Sequence, residues 1–219
     1  MKLGYGLMGV LVIAATPAYA QSSSGVTVGV TGGTLGVGPE VDYRVSRTIG
    51  VRANATFLGV SHTVDSDDIT YDGDLKLGSE GVMVDVHPMG NGFRISAGAR
   101  INNNKVRLAA RPTSDVEIGD DTYTPEEIGT LSGTLKAKSF APALTLGWGG
   151  GLTRGLKFGF EAGGMFEGSP RVRNLRATGT LSSDPGFQAS LRDEAREIED
   201  DVHKYKIYPI VQLAIGYRF

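Results

Sequence analysis

The clearest pattern in the chain lies at residues 206–219, KIYPIVQLAIGYRF. Ile207, Pro209, Val211, Leu213, Ile215, Tyr217 and Phe219 are apolar or aromatic, while Tyr208, Ile210, Gln212, Ala214, Gly216 and Arg218 are mixed, small or polar. A two-residue period predicts a strand with one apolar face. The same alternation predicts seven more strands. A short one carries Val26, Val28 and Val30. The next sets Leu35, Val37, Pro39, Val41, Tyr43 and Val45 against Gly36, Gly38, Glu40, Asp42 and Arg44. A third sets Ile49, Val51, Ala53, Ala55 and Phe57 against Gly50, Arg52, Asn54 and Thr56. Others follow at 75–87, 93–102 (Phe93, Ile95, Ala97, Ala99, Ile101), 140–148 (Phe140 to Trp148) and 156–163 (Leu156, Phe158, Phe160, Ala162).

The strand at 75–87 breaks parity. Leu75 and Leu77 are odd, whereas Val82, Val84 and Val86 are even, so a bulge between Gly78 and Gly81 is expected to restore one apolar face and to put Lys76 and Asp85 together on the other. Three polar excursions read as loops. Residues 61–74 hold Asp65, Asp67, Asp68, Asp72 and Asp74. Residues 109–133 include Thr124-Pro125-Glu126-Glu127, a short helix start. Residues 169–203 contain Asp184-Pro185, an N-cap with proline at N1, followed by Phe187, Leu191, Ala195, Ile198 and Val202 at helical spacing. The acids on that helix (Asp193, Glu194, Glu197, Asp200, Asp201) disfavour an anionic membrane surface, so its stripe is expected to pack on a barrel rim or cap the lumen.

Alternation alone does not say which face is inside. A soluble barrel turns apolar residues inward and a membrane barrel turns them outward. Short turns at 46–48, 87–92 and 149–155 alternate with the three long excursions, which is the membrane-barrel arrangement. Aromatic residues gather at strand ends: Tyr43, Phe93, Trp148, Phe158, Tyr217 and Phe219 by the short turns, Phe57, Phe140 and Phe166 by the long loops. The expected fold is therefore all-β, an eight-stranded antiparallel up-and-down transmembrane barrel with one amphipathic helix in its last loop. Its polar face holds Glu40, Asp42, Arg44, Arg52, Asn54, Lys76, Asp85, Arg94, Arg100, Lys157, Glu161 and Gln212. Eight strands leave room only for side chains, and unpaired charge there is costly, so a filled lumen is expected. A pairing of Arg52 or Arg100 with Glu161 is the candidate gate. Pro39, Pro142 and Pro209 fit strand ends, where a missing ladder donor matters least.

Composition agrees. The 32 glycines and the absence of cysteine favour strands and turns and remove disulfides, thiolate metal sites and a lipoprotein anchor. Net charge of −2 gives no reason to expect nucleic acid. At the start, Met1-Lys2, the apolar run through Val10 to Ala15 and Ala18-Tyr19-Ala20 form a secretory signal peptide, residues 1–20, with cleavage expected between Ala20 and Gln21.

The ending Tyr217-Arg218-Phe219 resembles the C-terminal strand of bacterial outer-membrane barrels, in which a terminal Phe is part of the insertion signal; Tyr217 and Phe219 carry it here. The whole mature stretch 21–219 resembles the eight-stranded OmpA/OmpX class, although the first long-loop position is nearly loopless. More narrowly, Tyr71–Leu77, Asp85–Gly98, Asn102–Lys105 and the Tyr208-Pro209 ending resemble a proteobacterial outer-membrane family of unassigned function. The resemblance implies the outer membrane of a Gram-negative cell. It also implies contact with outer-membrane lipid and lipopolysaccharide, handling by the barrel assembly machinery and periplasmic chaperones, and a monomer. A structural or surface-interaction role follows, with a narrow porin-like conduit as the alternative.

Lipid A-modifying barrels need a nucleophile, a base and an orienter. The histidines offer little: His62 follows Ser61 in the acidic loop, His203 follows the helix, and His87 lies in a short turn. No catalytic motif, cofactor or metal site is expected. The Asp65–Asp74 cluster does not have the spacing of an EF-hand and reads as a solvated loop.

Overall fold

The computed structural model describes residues 24–65 and 69–219; the signal peptide and its cleavage site lie outside them. The elements are β1 (Gly25–Gly33), β2 (Gly36–Arg44), β3 (Ile49–Asp65), β4 (Ile69–Val86), β5 (Phe93–Asn102), β6 (Lys105–Pro112), β7 (Val116–Ile118) and β8 (Asp121–Tyr123), then α1 (Pro125–Ile128), β9 (Leu131–Lys136), β10 (Phe140–Trp148), β11 (Gly155–Phe166), β12 (Arg171–Arg176), α2 (Pro185–Val202) and β13 (Ile207–Arg218). Eight of these strands form a closed antiparallel ring, β1–β2–β3–β4–β5–β10–β11–β13, which β1 completes by pairing Thr27 to Gly33 with Arg218 to Gln212. All eight expected strands are present.

The faces are those of a membrane barrel. Val28, Val41, Val82, Leu144, Phe158 and Leu213 point out and are exposed, while Arg52, Ser96, Thr145 and Gln212 point in and are buried. Closure leaves no free backbone edge around the ring. Outward aromatic residues collect at both ends. Trp148, Phe158 and the edge-to-face pair Tyr217–Phe219 mark the end of the short turns; Phe57, Phe140 and Phe166 mark the end of the long connections. Leu35 departs from its expected outward place. It sits in the two-residue turn between β1 and β2, outside either strand, and is fully buried.

The long connections carry strands and helices of their own. Residues 61–65 and 69–74 continue β3 and β4, whose pairing runs without interruption from Ile49↔Val86 to Asp65↔Thr70. That register leaves no bulge between Gly78 and Gly81. Lys76 and Asp85 therefore occupy opposite faces, and Lys76 is exposed. The parity change has another cause. Above the ring the strands leave the closed barrel and form an open sheet, β3–β4–β6–β9–β12, and there the apolar residues lie on the face that continues the lumen. Leu77 pairs with Leu58, Leu75 with Val60 and Val106, and Leu135 with Val106 and Val172.

The third excursion places α2 against that sheet. Asp184 caps the helix by accepting the Phe187 N–H at 2.9 Å, as its sequence implies. α1 starts at Pro125, with the Glu127 carboxylate accepting the Thr124 N–H at 2.9 Å. Instead of the barrel rim or the lumen, α2 finds a second small core: Phe187 and Leu191 pack with Ile118, Ile128, Leu131 and Leu175, and Phe187 meets Tyr123 edge-to-face. The outer edge of β12 is tied to α2 by the Glu199 carboxylate accepting the Val172 N–H.

Two cores with no shared residue should fail separately. Phe187→Ala is expected to cost the loop-built core about 3–5 kcal/mol, the usual range for a buried Phe, and to raise amide exchange and proteolysis in 116–131 and 177–202. The heat-shift of the folded barrel on an SDS gel should stay unchanged; loss of that shift would show the two cores to be one cooperative unit.

Candidate functional site: the charge network of the lumen

Inward positions repeat every second residue, so each ring strand delivers one side chain per two residues to a space a few ångströms across. Strand β3 delivers Arg52, only 1% exposed, at the centre of the network. Its guanidinium donates to Glu161 Oε2 from β11 at 2.6 Å, to Asp85 from β4 at 3.1 Å and to Glu40 Oε2 from β2 at 3.3 Å. Glu161 also accepts from Thr145 Oγ1 at 3.2 Å and lies 3.7 Å from Arg94. Glu40 accepts from Asn54 Nδ2, and Asn54 Oδ1 in turn accepts from Arg100 at 2.7 Å. Three arginines (Arg52, Arg94, Arg100) thus share one connected network with three carboxylates (Glu40, Asp85, Glu161) across five ring strands. In low dielectric such a network holds only if its partners are all in place.

Of the two candidate gate pairs, Arg52–Glu161 is formed. Arg100 instead donates to Ser79 Oγ and Asn54, both at 2.7 Å. Lys157 stands apart: it is half-buried at the short-turn mouth and donates to Thr153 Oγ1. The reason is its place two residues into β11, too near the strand end to reach the middle of the lumen.

Asp42, Arg44 and Arg218 are buried at the short-turn end, where Asp42 Oδ1, Arg44 Nε and Nη1 and Arg218 Nη1 have no hydrogen-bond partner among the described residues. Arg44 is fully buried and donates to the Asn91 carbonyl at 3.2 Å. Arg218 reaches over Gly25, the ladder partner of Arg44: a Cβ on Gly25 would lie 2.6 Å from the Arg218 guanidinium. His87 closes this end. It is fully buried, and its Nδ1 faces the carbonyls of Asn91 and Phe93 at 3.1 and 3.0 Å. Burial pushes the His87 imidazole below its ordinary range; Arg44 acts in the same direction, while Asp85 and the Phe93 carbonyl oppose. Sequence reasoning placed His87 in a turn but not in the plug, because turn composition says nothing about which way a side chain folds back.

The long-connection half of the lumen is filled differently. Leu35, Ala141, Ala143, Met165 and Ile210 form one buried apolar cluster with Met83, flanked by Tyr208, whose hydroxyl donates to the Thr34 carbonyl. The lumen therefore has two layers, ionic and apolar. The apolar layer was missed because Met83, Ala141, Ala143, Met165 and Ile210 stand on faces otherwise read as polar or mixed, while Leu35 was assigned to the outward face of a strand and sits in a turn. Near the long-connection rim, Asn102 donates to Glu167, and burial raises the Glu167 carboxyl despite that bond.

Outside the barrel, Ser61 donates to Asp74 rather than facing His62, which lies opposite Gly73. Asp72 accepts from Thr63 and pairs with Arg111 at 2.9 Å. Asp65, Asp67 and Asp68 carry side chains outside the described part, and no group of three metal-ligating residues occurs among the described residues.

No family model and no curated protein matches the chain. Solved structures are similar to it, two of them from one organism. The crystal structure of Acinetobacter baumannii CarO2 matches with a TM-score of 0.59 at 22% identity, covering 89% of this chain and 98% of that one. Acinetobacter baumannii CarO matches with a TM-score of 0.56 at 20% identity, covering 89% and 97%. At such identity the likeness is one of fold, and it extends over the barrel and much of what stands above it.

Two tests bear on the network. Arg52→Ala strands three carboxylates and is expected to cost about 3–5 kcal/mol, read as a lower urea midpoint for the refolded barrel; an unchanged midpoint would mean the carboxylates are solvated. For His87, the folded state favours the neutral ring, so the unfolded chain takes up its proton first on acidification. Stability should then fall as pH drops below about 6.5 and level off below the folded value. His87→Gln should remove that portion of the slope.

Proposed function

We propose that the chain is an integral outer-membrane barrel with a closed lumen, acting through the sheet and helix that its long connections build above the ring. The observation that carries this reading is the two-layer fill: a connected ionic network on one side and an apolar cluster on the other. The continuous outward apolar band supports the membrane, since exposed apolar surface of this extent is otherwise a liability in water. By the resemblance of the ending, the short turns face the periplasm and the open sheet faces outward. The role is structural or surface-interactive, with lipopolysaccharide and external molecules as the partners of the outer sheet. We read the protein as a monomer and not as an enzyme; the engagement of Ser61 with Asp74 supports the second point.

A narrow conduit is the second reading, favoured by the convergence of three carboxylates on the single residue Arg52. Planar bilayers decide between them. The wild-type protein is expected to insert without conductance steps. Discrete steps that vanish in Glu161→Gln would overturn the closed-lumen reading and establish the conduit.

A further inference from the structure

The open sheet carries a row of four cations in register. Lys76 on β4 lies directly opposite Lys105 on β6, Lys105 opposite Lys136 on β9, and Lys136 opposite Arg171 on β12. Directly paired residues of an antiparallel sheet point to the same side, and adjacent strands are about 4.8 Å apart, so the four charges span about 14 Å in a line. Like charges in direct opposition are destabilising. Among the described residues none of the four has a carboxylate within ion-pair distance, and the one ion pair on this sheet joins Arg111 to Asp72. Folding of the sheet gains nothing from such a row.

Its position gives it a use. The side bearing Lys76 continues the outward face of the ring, because Lys76 shares parity on β4 with Val82, Val84 and Val86. One step nearer the barrel the equivalent row is Phe57, Gly78 and Asn103, with Phe57 in the aromatic belt. Two residues along a strand is about 7 Å. The cations therefore begin about 7 Å beyond the end of the apolar band, at the level where the headgroups of the surrounding leaflet lie. One row further out the pattern turns mixed, with Asp74 beside Arg107. Positive charge is thus concentrated in one row at the border of the apolar band, while the acid on the same face of β4, the exposed Glu80, lies four residues nearer the barrel, beside Ala55 and Ile101. Helix α2 leaves this side uncovered: its core partners Leu131 and Leu175 belong to the opposite, apolar face, and Arg171 is exposed.

We infer that this row is a docking surface for the phosphorylated headgroups of the outer leaflet's lipid, with Lys105 and Lys136 at its centre. The ammonium groups serve as point charges for phosphate oxygens, and Arg171 adds a guanidinium suited to two-point contact. The lipid's acyl chains would lie along the apolar band directly below. This inference rests on the membrane reading above and names the lipid that the outer surface selects.

The test uses the full refolded protein in detergent, with native mass spectrometry to count bound lipid. The probes are bisphosphorylated lipid A, the same lipid A after enzymatic removal of its phosphates, and phosphatidylethanolamine. Bisphosphorylated lipid A is expected to be retained at least tenfold better than the dephosphorylated form, and Lys105→Gln/Lys136→Gln should abolish that difference. The double variant should fold, because it relieves repulsion; without lipid its unfolding midpoint should match or slightly exceed the wild type. Equal retention of the two lipid A forms, or a preference that survives the double substitution, would overturn the inference. So would full competition by inorganic phosphate at millimolar concentration, which would make free phosphate the ligand. A protein that keeps its heat-shift and inserts into bilayers while showing no phosphate preference would sink this inference alone; failure to insert would sink the membrane reading with it.

Discussion

The structure depends on the cost of leaving charge unpaired inside a ring too narrow to hold bulk water. Once eight strands close, every second residue of each strand must find its partners within the lumen. Arg52 meets this demand for three strands at once, binding carboxylates from β2, β4 and β11 that are far apart in sequence. It acts as a cross-brace, fixing the ring's strands relative to one another through side chains as well as through the ladder. Where charges run out, toward the long connections, the space is filled by Leu35, Met83, Met165 and Ile210. The two fillings answer the same constraint by different means: one pairs charge with charge through Arg52, the other adds apolar side chains that bring no charge.

The outer surface answers to a different solvent. Outside the ring the apolar residues need no partner because lipid is their environment, and aromatic residues mark its limits at both ends. Above the long-connection limit the chain re-enters water, and the sheet must reverse its polarity. It does so without a bulge: the register of β3 with β4 stays constant through the transition, and the residue types change faces instead. That reversal puts apolar side chains such as Leu131 and Leu175 where α2 can cover them, and leaves lysines and arginines facing outward along the membrane border. The second core and the cationic row thus follow from one change of solvent.

Much of this could be read along the chain. The eight ring strands, the outward direction of their apolar faces, the two aromatic belts, the cap of α2 and most members of the ionic network follow from period, turn chemistry and charge, because a half-buried strand writes its two environments into alternate residues. Local signals such as Asp184-Pro185 needed no knowledge of the fold. The sequence by itself therefore determined the strand count, the sidedness and the pool of charges.

The tertiary structure alone decided the rest. Whether Arg52 or Arg100 meets Glu161 depends on relative strand height, which ring closure sets and no single strand records. The stretches within 61–74, 109–133 and 169–203 that form the open sheet read as loops because, in a sheet open to water on one side, apolar and polar residues alternate weakly, and β6, β9 and β12 are short. Beyond the β3–β4 pair their pairing partners lie tens of residues away, as in Ser132 with Arg176, so their order comes from neighbours rather than from their own pattern. His87 and Leu35 both sit in turns, and their burial depends on what the closed barrel leaves open beneath them.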